Sequence, residues 1–190
     1  MDLKRSIIFC AEDSYDILKR ILLNVSLEYK DSIGYYQGMN YIAMFLMEAF
    51  GDENKAYHFF CYISDRILTK YFANNFEGIV KLIWICDKMI QIHSPGLWAK
   101  LRHGGVSSIH FSVPNLITLF TSLIKNNEAK RHIYEIWDIM FCEGFSSIIK
   151  ALIYILEVQK VHIDMIDSIV VIVVIVVVIV VIVVIISRRS

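Results

Sequence analysis

From Tyr15 to Leu156 the apolar residues of this chain recur three and four positions apart, a spacing that builds helices with one buried stripe and little else. Tyr15, Leu18, Ile21, Leu22 and Val25 share a helical face behind an N-cap at Asp13 or Ser14. Tyr41–Phe50 reads as a buried helix stopped by Gly51. The pattern returns at Ala56, Phe59, Phe60, Ile63 and Ile67, and again at Ile79, Leu82, Ile83, Cys86, Met89 and Ile90. His93–Gly96 is a break, and His103–Ser108, with Gly104 and Gly105, is a loop. Ser112 is expected to cap a helix with Pro114 in its first turn, where a missing N–H does no harm. Ile133, Ile136, Trp137, Met140 and Phe141 form a further stripe ended by Gly144, and Ser146 or Ser147 opens a helix through Leu156. The only prolines are Pro95 and Pro114, and no strand-like alternation precedes residue 168. The expected fold class is all-α, an array of short packed helices.

The C-terminus differs in kind. From Ile169 to Ile186 every residue is valine or isoleucine. At about 1.5 Å per residue, a helix of about 18 residues just crosses the hydrocarbon core of a bilayer. Ser187-Arg188-Arg189-Ser190 would then be the exit flank. Those arginines oppose the positive-inside tendency for a cytosolic domain, and Lys150 and Lys160 partly balance them. The same run is also a low-complexity β former prone to aggregation, or a core strand. Residues 1–160 are thus read as the domain and 161–190 as a hydrophobic tail that is either an anchor or an appendage.

Basic and acidic residues balance to a formal charge of zero, so no basic field argues for nucleic acid as a partner. Cys10, Cys61, Cys86 and Cys142 are scattered, mostly in apolar runs, and read as buried reduced thiols of a cytosolic protein. The apolar run after Lys4 and Arg5 stops at Glu12 and Asp13, too short for a signal peptide. No glycine-rich phosphate loop is present, so the chain has no nucleotide cradle of its own. His58 and Cys61 lie one helical turn apart without a second pair to complete a zinc set. Nothing local supports Cys142 with His132 as a nucleophile pair.

The informative stretch is Ile33–Asn40, IGYYQGMN. Gly34 and Gly38 bracket Gln37 between two apolar helical segments, which allows a tight backbone that presses a side chain against another surface. Glutamine carries an acceptor oxygen and an amide donor, and orients a water without titrating. From the spacing alone, an idle loop glutamine remains an open reading.

This segment resembles the Tyr-x-Gln-Gly motif of the TBC-domain Rab GTPase-activating proteins. Asp2-Leu3-Lys4-Arg5-Ser6 resembles the end of that family's Ile-x-x-Asp-x-x-Arg motif, with Ser6 for the usual threonine. Tyr15–Leu22 resembles the following helix, Thr118-Leu119-Phe120 a later core segment, and Ile136-Trp137-Asp138 with Phe141, Glu143 and Gly144 the Ile-Trp-Asp…Phe-x-Glu-Gly block. The likeness covers about residues 1–160. It implies a partner, a GTP-loaded Rab-family small GTPase, into whose site Arg5 and Gln37 are inserted. Arg5 would stabilise charge developing on the phosphates, and Gln37 would position the attacking water. Asp2 would hold Arg5 or its helix, with Tyr35 and Gly38 supporting Gln37. Trp137 and Asp138 would be structural, a packed anchor and its hydrogen-bonding neighbour. The chain would need no cofactor or metal of its own, since GTP and Mg²⁺ belong to the partner.

The chain departs from the family pattern in several places. The opening Arg-x-x-Trp helices are absent, and the motif isoleucine would precede Met1. No Gln-Trp pair occurs near Val113-Pro114-Asn115, and the Val/Ile tail stands where the final helices are expected. The domain is therefore read as truncated at its N-terminus. The alternatives to a Rab activator in vesicle trafficking are a non-catalytic Rab-binding module and a degenerate fragment held on a membrane by Ile169–Ile186. The expected location is cytoplasmic, with tail-anchoring to an endomembrane as the variant.

Overall fold

The computed structural model describes residues 12–124, 126–149 and 152–153, with the side chains of 12–14 and 128 excepted. Asp2, Arg5, Cys10 and the tail Ile169–Ile186 lie outside the described residues. Every regular element among the described residues is helical. They divide into two compact units, one of residues up to Ile79 with Ile117–Ser122, the other of Val80–Leu116 with residues from Leu123 onward.

In the first unit, α1 (Glu12–Glu28), α2 (Met39–Phe50) and α3 (Glu53–Ile63) pack on one another. Each supplies the stripe that its periodicity predicts. Leu18, Ile21, Leu22 and Val25 come from α1, Ile42, Ala43, Phe45 and Leu46 from α2, and Ala56, Phe60 and Ile63 from α3. Each large aliphatic or phenyl group so buried stabilises the fold by about 1.5–3 kcal/mol. The α2–α3 junction is set by local chemistry. Gly51 takes φ 60° and returns its N–H to the Met47 carbonyl at 2.8 Å. Asp52 then accepts from the Lys55 N–H at 2.8 Å and starts α3. Arg20 of α1 grips Glu53 through two hydrogen bonds of 2.9 and 2.7 Å.

α3 runs into one turn of π-helix, Ser64–Leu68, whose Ser64 hydroxyl donates to the Phe60 carbonyl at 2.9 Å. α4 (Thr69–His93) follows, and it is two helices joined at a kink. Asn74, Asn75 and Phe76 all take positive φ, 52°, 56° and 64°. Asparagine tolerates that region; phenylalanine does so only when its surroundings hold it there. Phe76 meets the Tyr36 ring edge-on at 5.9 Å and Phe72 at 5.9 Å, which are the contacts that hold it.

The second unit contains the rest of α4, α5 (Pro95–His103), α6 (Ser108–Ile117, its last residue falling in the first unit) and α7 (Asn127–Glu143). Its core includes Leu82, Cys86, Ile90, Leu97, Leu101, Phe111, Leu116, Ile133, Trp137 and Met140. The break at His93–Gly96 shrinks to Ser94, because Pro95 opens α5 as a first-turn proline.

The start of α6 departs from the sequence expectation. Ser112 is fully buried inside the helix, and Pro114 is interior. Ser107 is the true start, with its N–H donating to His110 Nδ1 at 3.0 Å and its carbonyl accepting from the His110 N–H at 3.1 Å. The first of these bonds is half of a capping box, with histidine where glutamate is usual. Downstream, Asn115 Nδ2 donates to the Phe111 carbonyl at 2.7 Å.

α1 begins at least as early as Glu12, ahead of the expected cap. α7 is capped by Asn126, which accepts from the Ala129 N–H at 2.8 Å, and Gly144 ends it. Among the cysteines Cys86 is buried and Cys61 half-buried, whereas Cys142 is exposed because it lies on the outer side of α7. No helix among the described residues is long and apolar enough to cross a membrane.

Candidate functional site

Gln37 stands alone in solvent on a buried support. Tyr36 before it and Gly38, Met39 and Asn40 after it are all buried, while Gln37 itself is exposed. The four residues Tyr36–Met39 form a tight turn closed by the Met39 N–H on the Tyr36 carbonyl at 3.3 Å. Gly38 occupies the third position with φ 117°, where a type II turn requires a positive angle. Gln37 is thereby the outward corner. The Tyr36 N–H donates to Met39 Sδ at 3.4 Å, a second tie across the same turn.

Gly38 is confined from below as well. A Cβ built there would lie 3.2 Å from the Ile117 carbonyl oxygen and 3.2 Å from Thr118 Cγ2. The segment beneath is itself tightly wound. Leu119 and Phe120 are fully buried with positive φ, and the Thr121 hydroxyl donates to the Thr118 carbonyl at 2.6 Å. The Thr118-Leu119-Phe120 stretch singled out in the sequence is therefore part of the floor under Gly38.

Tyr36 clamps the turn from the side. Its ring stacks on Phe72 at 5.0 Å, and Phe76 closes over it edge-on. Burial pushes the Tyr36 phenol well above its ordinary pKa, and its hydroxyl has no hydrogen-bond partner among the described residues. The approach to the turn is held by Tyr29 at the end of α1. The Tyr29 carbonyl accepts from the N–H groups of Ser32, Ile33 and Gly34, at 3.1, 3.1 and 2.8 Å. Its hydroxyl lies 2.8 Å from Asp65 Oδ1 and 3.0 Å from the Cys61 carbonyl oxygen, and burial, followed by the Asp65 bond, raises its pKa.

The structure thus brings Tyr35, Gln37 and Gly38 together, with Tyr35 half-buried beside the turn. Trp137 and Asp138 lie on α7 in the second unit. Trp137 is buried and meets Phe141 edge-on at 5.9 Å, and Asp138 is exposed. Asp2 and Arg5 fall outside the described residues. Sequence reasoning missed Tyr36, Phe72 and Phe76. Phe72 and Phe76 lie off the stripes read from the sequence, and their contacts with Tyr36 join segments far apart in the chain. Among the described residues no three histidine, cysteine, aspartate or glutamate side chains converge on a metal-sized site. The arrangement offers a rigidly mounted, uncharged amide able to accept and donate hydrogen bonds to a group on another molecule.

The chain is similar to several known proteins. The family model described as the Rab-GTPase-TBC domain matches residues 1–163. The chain is 27% identical over 158 residues to the GTPase-activating protein GYP5 of Saccharomyces cerevisiae, covering 82% of this chain and 17% of that protein. It is 26% identical over 140 residues to Growth hormone-regulated TBC protein 1-A of Danio rerio, covering 72% of this chain and 38% of the other. The chain therefore spans well under half the length of these relatives. The Ypt/Rab-GAP domain of Gyp1p shares the fold, with a TM-score of 0.64 at 15% identity over 87% of this chain and 59% of that one.

Proposed function

The chain belongs to the Rab-GTPase-TBC domain family, and from that premise we propose that it accelerates GTP hydrolysis by a Rab-family GTPase, with Gln37 supplied in trans. The observation that carries the reading is Gln37 itself, exposed on a turn whose other members are buried and tied to one another. A positioned amide lowers the barrier by holding the attacking water in line, and it reacts with nothing at neutral pH. The relative named above as GTPase-activating, GYP5, supports the same reading.

Arg5 is the proposed second group. A guanidinium against the transferring phosphoryl stabilises the charge that develops there, an effect worth roughly 10³–10⁵ in rate for GTPases. Asp2 would hold Arg5 in place. GTP and Mg²⁺ would be bound by the partner, with no cofactor on this chain. Placement in the cytoplasm completes the proposal, with Ile169–Ile186 either an anchor or a low-complexity appendage. Carbonate resistance of the full-length chain that is lost on deleting the tail supports an anchor; extraction of the full chain discards it.

Single-turnover GTP hydrolysis across a panel of Rab proteins is the test of the activity. Stimulation that disappears in Gln37→Ala and in Arg5→Ala is expected. Stimulation that survives both substitutions overturns the mechanism. Rab binding without stimulation by the unaltered chain replaces the activator with a binding module.

A further inference from the structure

The first unit carries a second organised surface that shares no residue with the Gln37 turn. Phe50 at the end of α2 and Asn54, Lys55, His58, Phe59 and Tyr62 on α3 line an open concavity of about 510 Å³. Three rings form a continuous strip along it. Phe50 and Phe59 lie 5.3 Å apart, and Phe59 and Tyr62 lie 5.7 Å apart. Phe50 is 39% and Tyr62 46% exposed, more than a helix face needs to leave open if it only closes a core. The strip continues with charge, since the Arg66 guanidinium sits 5.7 Å over the Tyr62 ring. Positions 55, 59, 62 and 66 follow the three- and four-residue spacing of one helix face.

The electrostatics of this face are one-sided. No lining residue is acidic, while Lys55, exposed on the rim, and Arg66 next to it are cations. Three of the carboxylates nearby in the chain are engaged elsewhere. Asp52 caps the α3 N-terminus, Glu53 is held by Arg20, and Asp65 bonds the Tyr29 hydroxyl. Among the described residues neither Lys55 nor Arg66 forms an ion pair with them. An apolar groove between two unpaired cations is complementary to an apolar side chain flanked by carboxylates. Lys55 and Arg66 are separated by about 16 Å along the helix, the reach of about five extended residues.

We propose that this face docks an acidic linear segment of a partner protein, seating one aromatic or leucine side chain among Phe50, Phe59 and Tyr62 while carboxylates pair with Lys55 and Arg66. The spacing of the two cations favours an extended peptide, since about five residues span it.

The test uses the full-length chain and a fluorescein-labelled octapeptide of aspartate and glutamate with one central phenylalanine, read by anisotropy. Expected is saturable binding in the micromolar range that weakens as salt rises. The double substitution Lys55→Glu, Arg66→Glu should weaken it about tenfold, as should replacing the peptide's phenylalanine by alanine. Both altered protein side chains are exposed, so the fold is kept, and circular dichroism checks this. Phe59→Ala is the second variant and should weaken binding by a similar factor. Absence of saturable binding overturns the proposal, as does binding indifferent to the charge reversals. Vesicles of phosphatidylserine and phosphatidylcholine form the other arm. Vesicle binding abolished by the charge reversals, with no peptide binding, identifies a membrane face instead and likewise overturns it.

Discussion

Replacing Gly38 by alanine asks whether the Gln37 turn is held by its own backbone angle or by the floor beneath it. The angle alone, φ 117°, lies outside any region comfortable for an L-residue and costs about 1–3 kcal/mol. The new methyl would also stand 3.2 Å from both the Ile117 oxygen and Thr118 Cγ2, tighter than ordinary contact by a few tenths of an ångström. The oxygen belongs to backbone, so it yields poorly, and crowding of this kind adds about 1–3 kcal/mol. Reduced freedom in the unfolded chain returns about 0.4–1 kcal/mol. The net expectation is a loss of roughly 1–6 kcal/mol, centred near about 3 kcal/mol. Gly51→Ala isolates the first effect, since Gly51 also has positive φ, 60°, with nothing within 4 Å of its added methyl. It should lose only about 1 kcal/mol. Urea unfolding of the three proteins, followed by circular dichroism, measures the difference as a shift in midpoint at constant slope. Equal losses in the two variants would refute the claim that Ile117 and Thr118 confine the turn. In the hydrolysis assay Gly38→Ala should lose more than its folded fraction explains, because a displacement of about 1 Å at a positioning group costs on the order of 10²-fold.

Three further outcomes follow from the same geometry. Gln37→Ala should leave the urea midpoint within about 0.5 kcal/mol of the parent, because the side chain is exposed, while removing stimulated hydrolysis. Tyr36→Phe should be neutral or stabilising by up to about 1 kcal/mol, since it removes a buried hydroxyl that has no partner among the described residues, whereas Tyr36→Ala should lose about 3–5 kcal/mol; thermal melts separate the two. The hydrogen bond from Arg20 holds Glu53 below its ordinary pKa of 4.5, so the pair's contribution is present above that value and is lost as pH falls through the lowered one. The stability difference between the parent and Glu53→Gln should accordingly shrink below about pH 4.5 in a urea series.

The helical stripes were legible because burial on one side of a helix repeats at its own period. Val25, Ile42, Phe60, Ile90 and Met140 all stand where that period puts them. Gly51 and Gly144 were legible as stops for the same local reason. What escaped was either chemistry outside the usual capping residues or contact at long range. His110 closing on Ser107 is a cap without the expected glutamate, so the start of α6 was read five residues late, at Ser112. Positive φ at Asn74 and Asn75 has a weak local signal; at Phe76, Leu119 and Phe120 it has none, because tertiary packing imposes it. At the candidate site the glutamine and its glycines were legible in the sequence. The aromatic clamp and the floor were not, because each joins residues far apart in the chain.

The floor under Gly38 also gives the turn a timetable. Helices α1, α2 and α3 find one another among neighbours in sequence and have what they need as soon as α3 is made. The Ile117–Thr118 backbone is translated about 80 residues after Gly38. At roughly 5–20 residues per second, that is a wait on the order of 4–16 seconds. Through that interval the Gln37 turn has its own hydrogen bonds but lacks its Ile117–Thr118 floor, and the geometry on which the proposed activity depends is completed only when the later segment arrives and docks. In this protein the candidate catalytic residue is made well before the segment that completes its support.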